Sequence, residues 1–151
     1  MKSRINAFSD LCLRVVMLLA AGRGGELLTS QQIADGVGVP YSHVSKAVIR
    51  LRELGLVDVT RGRPGAAAIS DPGMAATVPA LLRSLDTRST VADCHIPNGD
   101  CPMSVDCGLQ GALARARDAF YAELDAVDIS QLPHQRQMGP LSVSISTCRP
   151  A

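Results

Sequence analysis

The 151-residue chain has no tryptophan, two phenylalanines and two tyrosines. A core without aromatic bulk has to be built from Leu, Val, Ile and Ala, which suits packed helices better than a large sheet. A long apolar run is also missing. The longest candidate, Leu11 to Ala21, has eleven residues and is interrupted by Arg14, whereas a spanning helix needs about 20. The basic stretch from Met1 to Arg4 imitates a secretory leader, but the break at Arg14 favours a buried first helix and a cytoplasmic protein with no membrane partner. Cys-x2-Cys knuckles of the structural zinc kind are absent. So are a phosphate-binding glycine loop, an acid–base pair and a nucleophile constellation, so nothing points to an enzyme.

What is present is a core-forming composition, 46% hydrophobic and 19% charged. The net charge of +1 conceals an uneven distribution. Residues 1–70 hold nine Lys/Arg against five acids, and the remainder six Arg against nine acids. A basic front half joined to an acidic back half suggests a phosphate-facing module tethered to something else.

Residues 8–21 place Leu11, Val15, Leu18 and Leu19 at helical spacing, with Ser9 or Asp10 as the expected cap and Gly22–Gly25 as the stop. Thr29 with Gln32 three residues later has the form of a capping box. It opens a short helix through Ile33, Ala34 and Val37 that Gly36 and Gly38 are expected to break. Pro40 fits the entry to a third helix over residues 41–54, with Val44, Val48, Leu51 and Leu54 facing inward and Gly55 ending it. The period then falls to two. Val57 and Val59 alternate with Asp58 and Thr60, Arg61-Gly62-Arg63-Pro64-Gly65 makes a basic turn, and Ala66–Ser70 returns as a second strand. Asp71-Pro72-Gly73 reads as a break and Thr77 as the cap of a helix over 78–86. After an irregular stretch, residues 108–127 read as a long helix with Leu109, Leu113, Ala116, Phe120, Leu124 and Val127 on one stripe.

Helix, glycine-bearing turn, helix and basic hairpin describe a mainly α fold, a winged helix-turn-helix with a two-stranded wing. A helix entering the major groove needs short polar or basic side chains on its outer face. Tyr41, Ser42, His43, Ser45, Lys46 and Arg50 meet that need, and Arg61 and Arg63 supply cations for phosphates or a minor groove. An ordinary solvated face in a protein-interaction domain is the plainer alternative; the wing that follows at the correct spacing favours double-stranded DNA.

Of the five cysteines, Cys94, Cys101 and Cys107 fall within fourteen residues as C-x6-C-x5-C. An odd number of cysteines argues against a disulfide framework. Thiolates suit zinc and iron–sulfur clusters alike, and three of them leave a fourth position for another ligand. Wide spacings with Pro97, Gly99 and Pro102 let the loop wrap something larger than one ion, but spacing leaves both metals open. Asp10, Asp93, His95, Cys12 and Cys148 are candidates for the fourth position. Cys12 is most simply a small core residue.

These pieces together resemble the NsrR-type nitric-oxide-sensitive repressors, of the iron–sulfur winged-helix repressor superfamily that also contains IscR. The resemblance is carried by Phe8-Ser9-Asp10-Leu11 with Arg14, by Gln32-Ile33-Ala34, and by His43, Lys46 and Arg50-Leu51. It continues through Glu53-Leu54-Gly55, Arg61-Gly62-Arg63, the three cysteines, Gly108-Leu109, Phe120 and Leu124. Gln110 stands where the IscR-like branch has a histidine, and the wing is less glycine-rich after Arg63 than is usual.

The resemblance implies a repressor that holds an iron–sulfur cluster, of the [4Fe–4S] type, on Cys94, Cys101 and Cys107 of one subunit and Asp10 of the partner subunit. It implies a homodimer joined through the long C-terminal helix, bound to a palindromic operator and released from it by nitric oxide. The expected organisation is a DNA-binding domain over 1–86, a cluster loop over 87–107, a dimerisation helix over 108–132 and a flexible tail over 133–151. Two related readings keep the fold: a redox or iron-status sensor with the same cluster, and a zinc-stabilised DNA binder without a sensing role. An electron-transfer protein or cluster enzyme is a further class.

Overall fold

Helix α1 (Ala7–Ala21) begins at Asn6, whose Oδ1 accepts a hydrogen bond from the Ser9 amide at 2.7 Å. Asparagine is among the best acceptors for the unpaired amides of a first turn. The cap is therefore Asn6 rather than Ser9 or Asp10, and the Asp10 carboxylate is left for Arg14, 2.8 Å away. Leu11, Cys12, Val15, Val16, Leu18 and Leu19 are buried along the inner side of α1. The computed structural model describes residues 5–22, 26–60, 66–86 and 106–132.

Helix α2 (Ser30–Val37) carries the expected capping box. The Gln32 amide donates to Thr29 Oγ1 at 3.2 Å, and the Thr29 amide donates to Gln32 Oε1 at 2.9 Å. Gly36 does not break this helix: it lies inside it, against the Leu18 side chain. The stop is Gly38, in the left-handed region at φ 70°, its N–H donating to the Ala34 carbonyl. Helix α3 (Tyr41–Glu53) follows Pro40 and buries Val44, Ala47, Val48 and Leu51 against α1 and α2.

Strands β1 (Val57–Val59) and β2 (Ala67–Ile69) pair antiparallel with Val57 opposite Ile69 and Val59 opposite Ala67. Leu28, just before α2, adds a bridge to Ala67 through two backbone hydrogen bonds, 2.9 and 2.7 Å long. The wing is thereby fixed at its base to the helix-turn-helix. Asp71-Pro72-Gly73 is not a break but the opening of a short helix α4 (Asp71–Ala75). Pro72 sits in the first turn, where no amide is needed. The Ser70 hydroxyl accepts from the Gly73 amide and donates to the Gly55 carbonyl at 2.6 Å. Helix α5 (Val78–Leu85) is capped by Thr77 as expected and buries Val78, Leu81, Leu82 and Leu85.

Helix α6 (Gly108–Leu124) stops three residues short of the expected 127. The stripe continues on paper, but the backbone leaves it to pair with the α5 entry. The Val78 amide donates to the Val127 carbonyl, and the Ile129 amide donates to the Ala76 carbonyl, each at 3.0 Å. That pairing drives Ile129, on a 3-10 turn, fully into the core beside α1. Phe120, Tyr121 and Leu124 are half-buried on the same core, whereas α6 itself has no fully buried residue and Leu109 is 68% exposed. The mainly α, winged-helix architecture expected from the sequence is the one observed. Among the described residues no helix is long and apolar enough to cross a membrane.

Candidate functional site

Because Val44, Ala47, Val48 and Leu51 turn inward, α3 presents its opposite side outward. Tyr41, Ser42, His43 and Lys46 are exposed there, and Ser45 is half-buried at the edge. Five of the expected DNA-reading side chains thus share one end and one face of a single helix. Arg50 sits on the flank. Its guanidinium donates to Glu53 at 3.2 Å and to the Ser84 carbonyl in the last turn of α5 at 3.3 Å. It is engaged within the protein, a role that helical spacing alone did not disclose.

The strand register carries the chain from Val59 and Thr60 across to Ala66, the Thr60 amide donating to the Ala66 carbonyl at 3.3 Å. Arg61 and Arg63 belong to the connection between them and lie outside the described residues, as do Cys94 and Cys101. The expected tail over 133–151 and all but the last two residues of the expected loop over 87–107 lie outside them too.

Two of the expected cluster ligands are described. Cys107 immediately precedes α6, half-buried, and its side chain makes no capping hydrogen bond there. Asp10 has its side chain half exposed and paired with Arg14. Neither is used to cap its helix, since Asn6 does that work for α1. Thiolates suit zinc and iron–sulfur clusters alike, and of the expected donor set Cys107 and Asp10 are the two that lie among the described residues. Among the described residues no three His, Cys, Asp or Glu side chains converge as a metal site. Cys12 is fully buried, and burial pushes its thiol up to about 12 against the opposing pull of the Arg50 guanidinium. Its place among the α1 core residues makes it a small packing side chain.

One further cluster was not anticipated. The Arg83 guanidinium lies 4.5 Å from the centroid of the Tyr121 ring and 3.8 Å from Asp125, joining α5 to α6. Tyr121 in turn meets Phe120 edge-on, with ring centroids 5.4 Å apart.

Comparison with known proteins is consistent with this arrangement. The model of the Rrf2 family, described as iron-dependent transcriptional regulators, matches residues 5–135. The HTH-type transcriptional repressor NsrR of Streptomyces coelicolor is 42% identical over 130 residues, covering 85% of this chain and 87% of that protein. The HTH-type transcriptional regulator NsrR of Bacillus subtilis is 30% identical over 135 residues, covering 89% and 92% respectively. Among solved structures, the oxidized form of Staphylococcus aureus CymR superposes with a TM-score of 0.67 at 21% identity, over 86% of this chain and 95% of that one. T. potens IscR superposes with a TM-score of 0.62 at 15% identity, over 100% of this chain and 95% of that one.

Proposed function

The chain belongs to the Rrf2 family of transcriptional regulators, and from that premise we propose that it is a homodimeric repressor releasing a palindromic operator in response to nitric oxide. It is a regulator rather than an enzyme. The observation that carries the DNA-binding half is the outward face of α3, where Tyr41, Ser42, His43, Ser45 and Lys46 stand together beside a wing base fixed through Leu28 and Ala67. Arg61 and Arg63, in the connection between the two strands, would supply cations for phosphate, and Arg50 supports the α3 face from the α3–α5 junction.

The sensing half rests on the donor set and on the NsrR-named relatives. Cys94, Cys101 and Cys107 would hold an iron–sulfur cluster, of the [4Fe–4S] type, with Asp10 of the partner subunit as the fourth ligand. When bound, the cluster supplies the iron centre with which nitric oxide reacts. The chain's own part is mechanical. Asp10 lies on α1, which packs directly against α3, so holding Asp10 constrains the orientation of the reading helix. A carboxylate is a hard and weakly held partner for such iron, which makes the Asp10 tie the one most readily lost. In the homodimer, α6 would pair the two chains around exposed Leu109, while Phe120 and Leu124 of the same stripe pack on their own core.

The deciding experiment is the visible absorption spectrum of protein purified without oxygen, followed by nitric oxide titration with and without operator DNA. A broad brown band that changes with nitric oxide in step with DNA release is expected. A colourless protein carrying zinc would refute the sensing half and leave a zinc-stabilised DNA binder. A band answering to dioxygen but not to nitric oxide would instead mark a redox sensor.

A further inference from the structure

An α-helix repeats every 3.6 residues, so side chains separated by four, three and four positions lie on one line. On α3 that line is Ser42, Lys46, Ile49 and Glu53, directly opposite the buried Val44, Ala47, Val48 and Leu51. Glu53 is turned to Arg50 at 3.2 Å. The line therefore presents a hydroxyl, an ammonium and then isoleucine, which is 48% exposed in the middle of an otherwise polar face. Nothing about binding phosphate or water calls for a branched aliphatic side chain there. One feature of the major groove does: the 5-methyl group of thymine, an apolar projection that no other base carries.

We propose that Ile49 is a specificity-determining residue that reads a thymine methyl group in the operator. This rests on the DNA-binding reading above and adds to it the base that the apolar member of the face selects. Ser42 and Lys46, on the same line, place Ile49 within the surface offered to DNA and not on a separate patch. A second protein or a second copy of this chain is the competing occupant of the exposed isoleucine.

The test uses full-length, anaerobically purified protein and a duplex site that it selects from a randomised DNA library. Thymines in that site are replaced one at a time by deoxyuridine, which removes the methyl and leaves the pairing edge intact. For the wild type, one replacement per half-site is expected to weaken binding by about three- to five-fold, as burial of a single methyl-sized group dictates. Ile49→Ala is expected to bind the unmodified site correspondingly more weakly, to lose sensitivity at that thymine alone, and to bind scrambled DNA as the wild type does. Ile49→Val, which keeps a branched methyl, is expected to restore part of the discrimination. An Ile49→Ala protein with every wild-type deoxyuridine effect intact overturns the inference while leaving the DNA-binding reading standing. A changed sedimentation coefficient with unchanged base preference overturns it in favour of a protein contact. Failure of the wild type to select any site overturns both readings.

Discussion

Replacing Arg50 by Met keeps much of the aliphatic stem and removes the guanidinium. That group has two partners, Glu53 at 3.2 Å with side chains 39% and 54% exposed, and the Ser84 carbonyl at 3.3 Å. An exposed ion pair of this kind contributes about 0–1 kcal/mol. A charge-assisted hydrogen bond at the long end of its range adds about 1 kcal/mol net. Arg50→Met should therefore lower stability by about 1–2 kcal/mol, or roughly 3–6 °C in Tm for a chain of this length. The DNA-binding consequence separates a structural role from a phosphate contact. Each neutralised phosphate adds about 0.9 to the slope of log affinity against log salt, so a dimer losing two contacts loses about 1.8. Lys46→Met should show that loss, and Arg50→Met should not. Thermal melting and fluorescence anisotropy titrations at several salt concentrations measure both quantities. An Arg50→Met protein with unchanged Tm and a slope lowered by about 1.8 would refute the reasoning, because the guanidinium would then have left Ser84 for phosphate.

Four other perturbations have definite expected outcomes. Gly73→Ala puts a Cβ 2.1 Å from the Leu56 carbonyl oxygen; backbone cannot rotate aside, so a loss of about 3 kcal/mol is expected in urea unfolding, and wild-type stability would show that α4 is not seated there. The Cys12 thiol titrates near 12 in the folded chain against 9.0 when free. The folded state thus holds that proton more tightly, and its contribution is complete below pH 9 and lost as pH rises toward 12. The stability difference between wild type and Cys12→Ala should accordingly fall by about 1.4 kcal/mol per pH unit above 9, and a difference constant with pH would contradict the burial argument. Cys101→Ala should abolish the visible absorption band of anaerobic protein, and an undiminished band would exclude Cys101 as a ligand. Asp10→Ala should keep that band but alter its lifetime under nitric oxide and the accompanying DNA release; indifference in both would remove Asp10 from the site.

The sequence was most legible where the physics is local. The Thr29 and Gln32 pair marks the start of α2 because a capping box needs only four consecutive residues. The inward face of α3 follows from spacing alone. One misreading was itself local, and the others arose where a distant group decides. Asn6 was overlooked as a cap because Ser9 and Asp10 stand nearer the first buried leucine. Asp71-Pro72-Gly73 looks like a helix breaker until the Ser70 hydroxyl is seen joining the Gly55 carbonyl to the Gly73 amide. The end of α6 is set by backbone pairing with Ala76 and Val78, some fifty residues earlier in the chain, and no periodicity reports that. For the site, composition and spacing nominated a reading face, whose α3 side chains the structure places outward, and a cysteine set of which only Cys107 lies among the described residues. They could not distinguish Arg50 from Lys46, since both are cations on the same helix and only the Ser84 carbonyl separates their roles.

In the proposed repressor, α5 is the element that would carry a change beyond its C-terminal end to the expected DNA-reading face. Its first residue is hydrogen-bonded to Val127, its Arg83 is held by Tyr121 and Asp125, and its Ser84 carbonyl receives Arg50 from α3. The chain between α5 and α6 carries Cys94, Cys101 and Cys107, so both ends of that segment are anchored on elements in contact with one another. The anchor on α6 is reinforced by a buried Ile129 that belongs to the core of α1. Toward α3 the polar tie is the single Arg50–Ser84 hydrogen bond, 3.3 Å long; the Arg50–Glu53 ion pair lies within α3 itself. A tie of about 1 kcal/mol corresponds to a roughly five-fold change in an equilibrium. In the proposed dimer two such changes would multiply to roughly twenty-five-fold, a sizeable part of the shift that operator release would require.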